Sequence, residues 1–341
     1  MPRPLPPHSA RASARAPRAT VRRPLRTGLP AVLLTALLLL PGEPTALPPP
    51  ADARPATRPV LSGVFTGSGA AGAARLARAE KWRGRGPLLA GRTYLPGDDW
   101  ESIEGPSAFL APWAKWRAAR TGRVLVLNVP MLPRSEARLP DRTVARQLAE
   151  GARGRYDAHF RTLARHLVAA RLPDTILVLG WEMNGITYTH RCGPSPASWR
   201  AYWRRAVTAM RSVRGQRLRF DFAPSRGRDA VPWTRCYPGD RYVDVIGMDA
   251  YDQPRGAAFR HQVEEPYGLR AQVDFARRHR KPVSYPEWGL FRNGDDPAYV
   301  RGMRDWFRRH PPLYESLTDY CPHGVWSCAD HPKAAREYRR R

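Results

Sequence analysis

"TILVLGWEMNG", residues 175–185, carries a block of aliphatic side chains straight into a glycine, a tryptophan and a carboxylate. A short apolar run with Pro173-Asp174 on one side and Gly180 on the other reads as a strand buried on both faces, the kind that builds parallel sheets. "KPVSYPEWG", residues 281–289, repeats the pattern 105 residues later, with Glu287 followed by Trp288 and Gly289. An unpaired carboxylate is costly inside a core. Two buried strands that each finish on a glutamate therefore deliver those groups to one end of a sheet.

Similar apolar runs recur on both sides of these two. Strands are expected at 60–67, 86–95, 123–132, 175–184, 217–225, 242–252, 281–288 and, with a weaker pattern, 314–320. Between them, apolar residues three and four apart predict helices at 157–172, 196–213, 267–280 and near 297–309. An alanine-rich helix is expected at 70–82 and a last short one at 333–340. Eight strand-then-helix units in about 280 residues match a (β/α)8 TIM barrel in count and length. A doubly wound open sheet is the rival, but the glycine-rich phosphate loop it often carries after its first strand is missing. The expected organisation is a single catalytic barrel over residues 57–341, behind a leader over residues 1–56.

That leader is read as an export signal. Arginines without an acidic partner fill residues 1–27, and "LPAVLLTALLLLPG" at 29–42 follows as an apolar core, with small residues near 51–53 for cleavage. The core is short of the roughly 20 residues a membrane span needs. A paired arginine at 22–23 leaves the twin-arginine route open beside the general secretory one. The mature chain is expected outside the cell, free or at the cell surface. Its formal charge of +27 raises nucleic-acid binding as a possibility, but only four of 57 basic residues are lysine, and the arginines are spread through nearly every segment. Nucleic acid is therefore not an expected partner. Export gives the four cysteines a role. Cys321 and Cys328 flank a short loop and are expected to pair, leaving Cys192 with Cys236, although four cysteines permit three connectivities. Free thiols are the alternative for a chain that stays inside. The spacing lacks CxxC pairs, so no metal site is expected.

In a barrel of this kind the active site lies at the C-terminal ends of the strands. The expected fourth and seventh strands bring Glu182 and Glu287 to that mouth. A glycosidic bond cleaved with retention needs two carboxyls about 5–5.5 Å apart, one to protonate the leaving oxygen and one to attack the anomeric carbon. Either glutamate alone could be a strand-end acid tied to an arginine. The shared context, with Trp181 and Trp288 beside them, favours catalysis.

"GWEMNG", "SWRAYWRRAVTAMRSV", "CYPGDRYVDVIGMDAYD" and "KPVSYPEWG", in this order and spacing, resemble glycoside hydrolase family 26, across roughly residues 175–290. The resemblance implies a (β/α)8 barrel that hydrolyses β-linked polysaccharide, with mannanases the best-known members and some β-glucanases and β-1,3-xylanases beside them. It makes Glu182 the acid/base, Glu287 the nucleophile and Tyr251 the residue that orients the nucleophile. Trp181, Asn184, Tyr188, Trp233 and Trp288 join Tyr251 as sugar-contact candidates. Three departures stand out. Trp181 replaces a histidine common before the acid, Thr187 stands where a tryptophan platform is frequent, and "APSRG" at 223–227 replaces a Ser-Pro-Asn strand end. The expected partner is a polysaccharide, bound by a monomer without metal, nucleotide or flavin. The alternative from another class is a carbohydrate-binding barrel that has lost its chemistry.

Overall fold

A computed structural model describes residues 60–340, so the expected leader lies outside the described residues. Nine parallel strands are present: β1 Leu61–Phe65, β2 Ala90–Tyr94, β3 Val124–Val129, β4 Ile176–Leu179, β5 Arg219–Phe222, β6 Val245–Ile246, β7 Ala250–Tyr251, β8 Tyr285–Gly289 and β9 Tyr314–Thr318. Ten α-helices cover them: α1 Gly69–Arg83, α2 Trp100–Ile103, α3 Ser107–Ala118, α4 Asp141–Ala152, α5 Asp157–Ala169, α6 Pro196–Arg211, α7 Phe259–Glu264, α8 Leu269–Arg278, α9 Pro297–Arg309 and α10 Pro332–Arg339.

The sheet order is β6-β5-β4-β3-β2-β1-β9-β8-β7, and β6 and β7 are two pieces of one strand interrupted at 247–249. The ring closes through that strand. Ile246 donates its amide to Pro282 O at 2.9 Å and accepts from the Ser284 amide at 3.1 Å, while Gly247 donates to Phe222 O at 2.9 Å. β7 then pairs with β8. The sixth expected strand is thus β6 plus β7, the seventh is β8 and the eighth is β9. The result is a (β/α)8 barrel.

The reason these runs form parallel strands is visible in their burial. Along β4 the side chains alternate, as pleating requires. Ile176 and Val178 join Val126, Ala90 and Trp181 in a small cluster inside the barrel, while Leu177 and Leu179 face the large apolar layer under the helices. That outer layer holds most of the large aromatic side chains, including Trp113, Trp199, Trp203 and Trp306. Helix α3 reaches its strand at Gly91, where a Cβ would sit 2.5 Å from the Trp116 ring. Any side chain there would push the helix outward.

Both disulfides expected from spacing are present, Cys192–Cys236 and Cys321–Cys328. Among the described residues no helix is long and apolar enough to cross a membrane.

Candidate active site

Glu287 sits in the middle of β8, 5% exposed, and points into the barrel mouth. Donors converge on it from three strands. Arg92 of β2 lies 3.0 Å from Oε1, Asn128 of β3 donates to the same oxygen at 3.3 Å, and the Tyr94 hydroxyl hydrogen-bonds it as well. Tyr251 of β7 donates its hydroxyl to Oε2 at 2.6 Å and accepts from Thr318 Oγ1 at 2.9 Å. Arg92 is fully buried, held between the Phe65 and Tyr94 rings, and also donates to Pro286 O and Thr318 Oγ1. A carboxylate gripped by a guanidinium, an amide and two phenols is fixed in orientation, with donors on both of its oxygens.

Glu182 is held differently. It lies three residues past the end of β4, in a turn, and its backbone has φ +50°. Gly180 just before it has φ +54°, a conformation glycine adopts without strain. The turn is pinned by the Glu182 amide on Ala223 O at 2.8 Å, and by Asn184, which accepts from the Ser225 amide at 2.9 Å and donates to Ser225 O at 3.0 Å. So the acid is not a strand-end residue, as expected from sequence, but belongs to a loop stitched to the end of β5. Burial pushes the Glu182 carboxyl up to about 8, and the nearby Glu287 charge adds to the shift, against a hydrogen bond from Ser225. The two glutamates therefore share one mouth, feel each other's charge, and occupy opposite environments.

A third carboxyl completes the cluster. Asp249 is 2% exposed and neither of its oxygens has a hydrogen-bond partner. Burial raises it well above the usual carboxylate range, reinforced by the charges of Glu287 and Glu182. Arg92, Asn128 and Asp249 were all missed in the sequence reading. A signal existed for each: a polar residue inside an apolar strand, with Arg92 and Asp249 each two positions before a tyrosine that reaches Glu287. His190 was missed too. It is fully buried, stacks 4.9 Å from the Tyr188 ring and donates from Nε2 to Trp181 O at 3.0 Å. Burial pushes it down to about 4, so it stays neutral.

The remaining candidates divide. Tyr251 touches Glu287, while Trp181 and Tyr188 form an aromatic wall with Tyr94 inside the mouth. Asn184 is fully buried, and its side-chain oxygen and nitrogen both bond to the Ser225 backbone, so it shapes the loop and presents no surface to the cleft. Trp233 is 1% exposed, donates to Tyr267 O at 3.0 Å and packs on Phe275. It anchors a loop. Trp288 follows Glu287 on a pleated strand and so faces the opposite way, into the outer layer, with its indole nitrogen 2.7 Å from Glu315 Oε2. Neither indole forms a wall of the cleft.

Beside Glu182 opens a polar cleft of about 470 Å³, lined by residues of the loops after β4, β5, β7 and β8. A larger hollow of about 660 Å³ lies in the outer helical layer, against α3 and α5. Among the described residues, the cluster closest to a metal-ligand arrangement is Cys321, Cys328 and Asp330, whose two sulfurs are spent in a disulfide.

Residues 170–267 match the family model of glycosyl hydrolase family 26, a span that contains Glu182, Asp249 and Tyr251. Over that span the chain is similar to this family. Its barrel superposes on solved family structures at low sequence identity. The Bacillus subtilis mannanase BCman is 19% identical, with 81% of this chain and 84% of that chain covered and a TM-score of 0.58. A family 26 β-mannanase from Bacteroides ovatus is 18% identical, covering 82% and 89% with a TM-score of 0.58. A modular endo-β-1,4-mannanase from Cellulomonas fimi is 18% identical, covering 78% and 66% with a TM-score of 0.59. No curated protein matches the chain by sequence.

Proposed function

We propose that this glycoside hydrolase cleaves a β-linked polysaccharide of the mannan type with retention, using Glu287 as nucleophile and Glu182 as acid/base. The observation that carries the reading is the opposition between the two carboxyls. Glu287 is oriented by Arg92, Asn128, Tyr94 and Tyr251, the arrangement an attacking anion needs. Glu182, pushed up to about 8, keeps its proton at neutral pH and can give it away. Attack by Glu287 on the anomeric carbon forms a glycosyl ester as Glu182 protonates the departing oxygen. Glu182, now ionised, takes a proton from water, which displaces Glu287 and restores both groups. The mannan backbone is suggested by the family and by the mannanases whose fold the chain shares. Trp181 and Tyr188 support it as an aromatic wall for the reacting sugar.

We also assign the chain to the cell exterior, with residues 57–341 as the working enzyme. Two disulfides and no free cysteine among the described residues fit an oxidising compartment.

Reducing-end release and proton NMR on galactomannan, glucomannan and lichenan test the assignment. Glu287→Ala is expected to lower turnover by at least about 10⁴-fold, as for loss of a covalent nucleophile. Glu182→Ala is expected to cost most with poor leaving groups and little with an activated aryl glycoside. First-formed α-anomer from a β-linked substrate, or full activity in Glu287→Ala, overturns the roles. A wild-type protein that binds these polymers and releases no sugar supports the binding-protein alternative instead.

A further inference from the structure

The cleft beside Glu182 has no aromatic lining residue. Ligand sites are usually lined mainly by apolar and aromatic side chains, and the exposed Thr187 stands at a corner of this one where a ring would offer a stacking face. What the cleft offers instead is guanidinium. Arg226 is already committed, since it is 4% exposed, forms an ion pair with Glu265 and donates to Tyr251 O and Gln253 O. Arg228 and Arg292 are exposed on the cleft wall, and neither forms an ion pair among the described residues. Arg292 uses only Nε, on Gln253 Oε1 at 3.3 Å, and its guanidinium rests 4.7 Å above the Phe291 ring. The opposing charge is thin. Glu265 is paired with Arg226, Glu182 carries a proton at neutral pH, and Asp229 is the remaining carboxylate.

We propose that this cleft binds a segment of glycan carrying anionic groups, a uronate carboxylate or an ester sulfate, held by Arg228 and Arg292. The proposal rests on the hydrolase reading for its direction. Glu182 lines the cleft and Glu287 does not, so the cleft lies on the side where the protonated, departing sugars sit. A planar guanidinium matches the two oxygens of a carboxylate or sulfate in a way it cannot match a neutral hydroxyl. The natural substrate is then an acidic β-glycan, or one decorated with acidic side groups on the leaving-group side.

The test compares glucomannan with the same polymer partly oxidised to the carboxylate at C6, and with a partly sulfated sample, at low salt. The carboxylated or the sulfated polymer is expected to show about tenfold higher kcat/KM than the neutral parent, and whichever arm leads identifies the anion. Roughly 0.5 M salt is expected to erase the preference. R228Q/R292Q brings the ratio to about one, whereas R214Q/R217Q, which removes the same charge from the turn before β5 at the opposite end of the barrel, leaves it intact. That control separates the cleft from the general attraction of a +27 chain for polyanions. A wild-type ratio of one or less, or a ratio that survives R228Q/R292Q, overturns the proposal. Should none of the three polymers be cut, the hydrolase reading fails by itself, and calorimetric binding of the same polymers to the same variants still decides the anion site.

Discussion

At the scale of single residues, the site is an arrangement of charge. Glu182 has its carboxyl raised from 4.5 to about 8, so between those values the folded chain holds a proton that the unfolded chain has lost. Stability contributed through this group therefore falls as pH rises through that window and is restored below it. Glutamine cannot ionise and does not carry the cost. Thermal unfolding of Glu182→Gln is expected to match wild type near pH 4 and to exceed it at pH 8 by at least about 1 kcal/mol, or 2–4 °C. Equal melting temperatures at pH 8 would mean that Glu182 ionises freely. The Glu287 charge is the second cause of the shift, after burial. Glu287→Gln should then lower the Glu182 titration midpoint without returning it to 4.5, as followed by carbon NMR of labelled carboxyls. Both glutamates stood out in the sequence because each interrupts or closes a short run of buried-looking residues. Their supporters did not, because Arg92, Asn128 and Asp249 look like isolated polar interruptions until the barrel brings their strands around one carboxylate.

At the scale of elements, strands were easier to read than helices, for a physical reason. Strands β3 and β4 are almost wholly apolar, since a barrel strand is covered on both faces. Helix α4, "DRTVARQLAEGA", buries only Val144, Leu148 and Gly151 and is otherwise polar, so its stripe is too thin to stand out. Helix α3 carries Pro112 inside it, which reads as a breaker. Strand pleating also explains why Trp288 beside Glu287 was misread, because adjacent residues on a strand face opposite layers. In the loop after β4 one side chain holds the turn that carries Glu182. Asn184 replaces two backbone hydrogen bonds that Ser225 would otherwise lack, and its own carbonyl accepts from the Ala230 and Val231 amides. Asn184→Ala leaves the Ser225 amide and carbonyl without these partners in a half-buried position, at a cost of about 1–2 kcal/mol. It is also expected to depress kcat more than KM, since the turn that aims Glu182 is loosened. Urea unfolding with unchanged m-value, alongside steady-state kinetics, checks both parts. A variant as stable and as active as wild type would show that the turn holds its shape unaided.

At the scale of the whole molecule, the two disulfides sit in loops that follow strands, at the end of the barrel where Glu182 lies, but do different work. Cys192–Cys236 spans 44 residues, both partners are fully buried, and it links the loop carrying Glu182 to the segment after β5. Cys321–Cys328 spans seven residues after β9, and Cys321 is exposed. Loop-closure entropy grows with the logarithm of the closed length, giving roughly 4 kcal/mol for the first and roughly 2.5 for the second. Removing the first also frees the loop that aims the acid, whereas removing the second leaves both glutamates on their own hydrogen bonds. The double variant C192S/C236S is therefore expected to lose more stability and to lose turnover at temperatures where it is still folded. C321S/C328S should unfold earlier than wild type and keep its turnover below that transition. Exposure orders their chemistry as well, so mild reductant should open Cys321–Cys328 first, read as two alkylated thiols by mass spectrometry while turnover persists. Loss of turnover in step with that first reduction would show that the short loop after β9, and not the buried bridge, holds the mouth in shape.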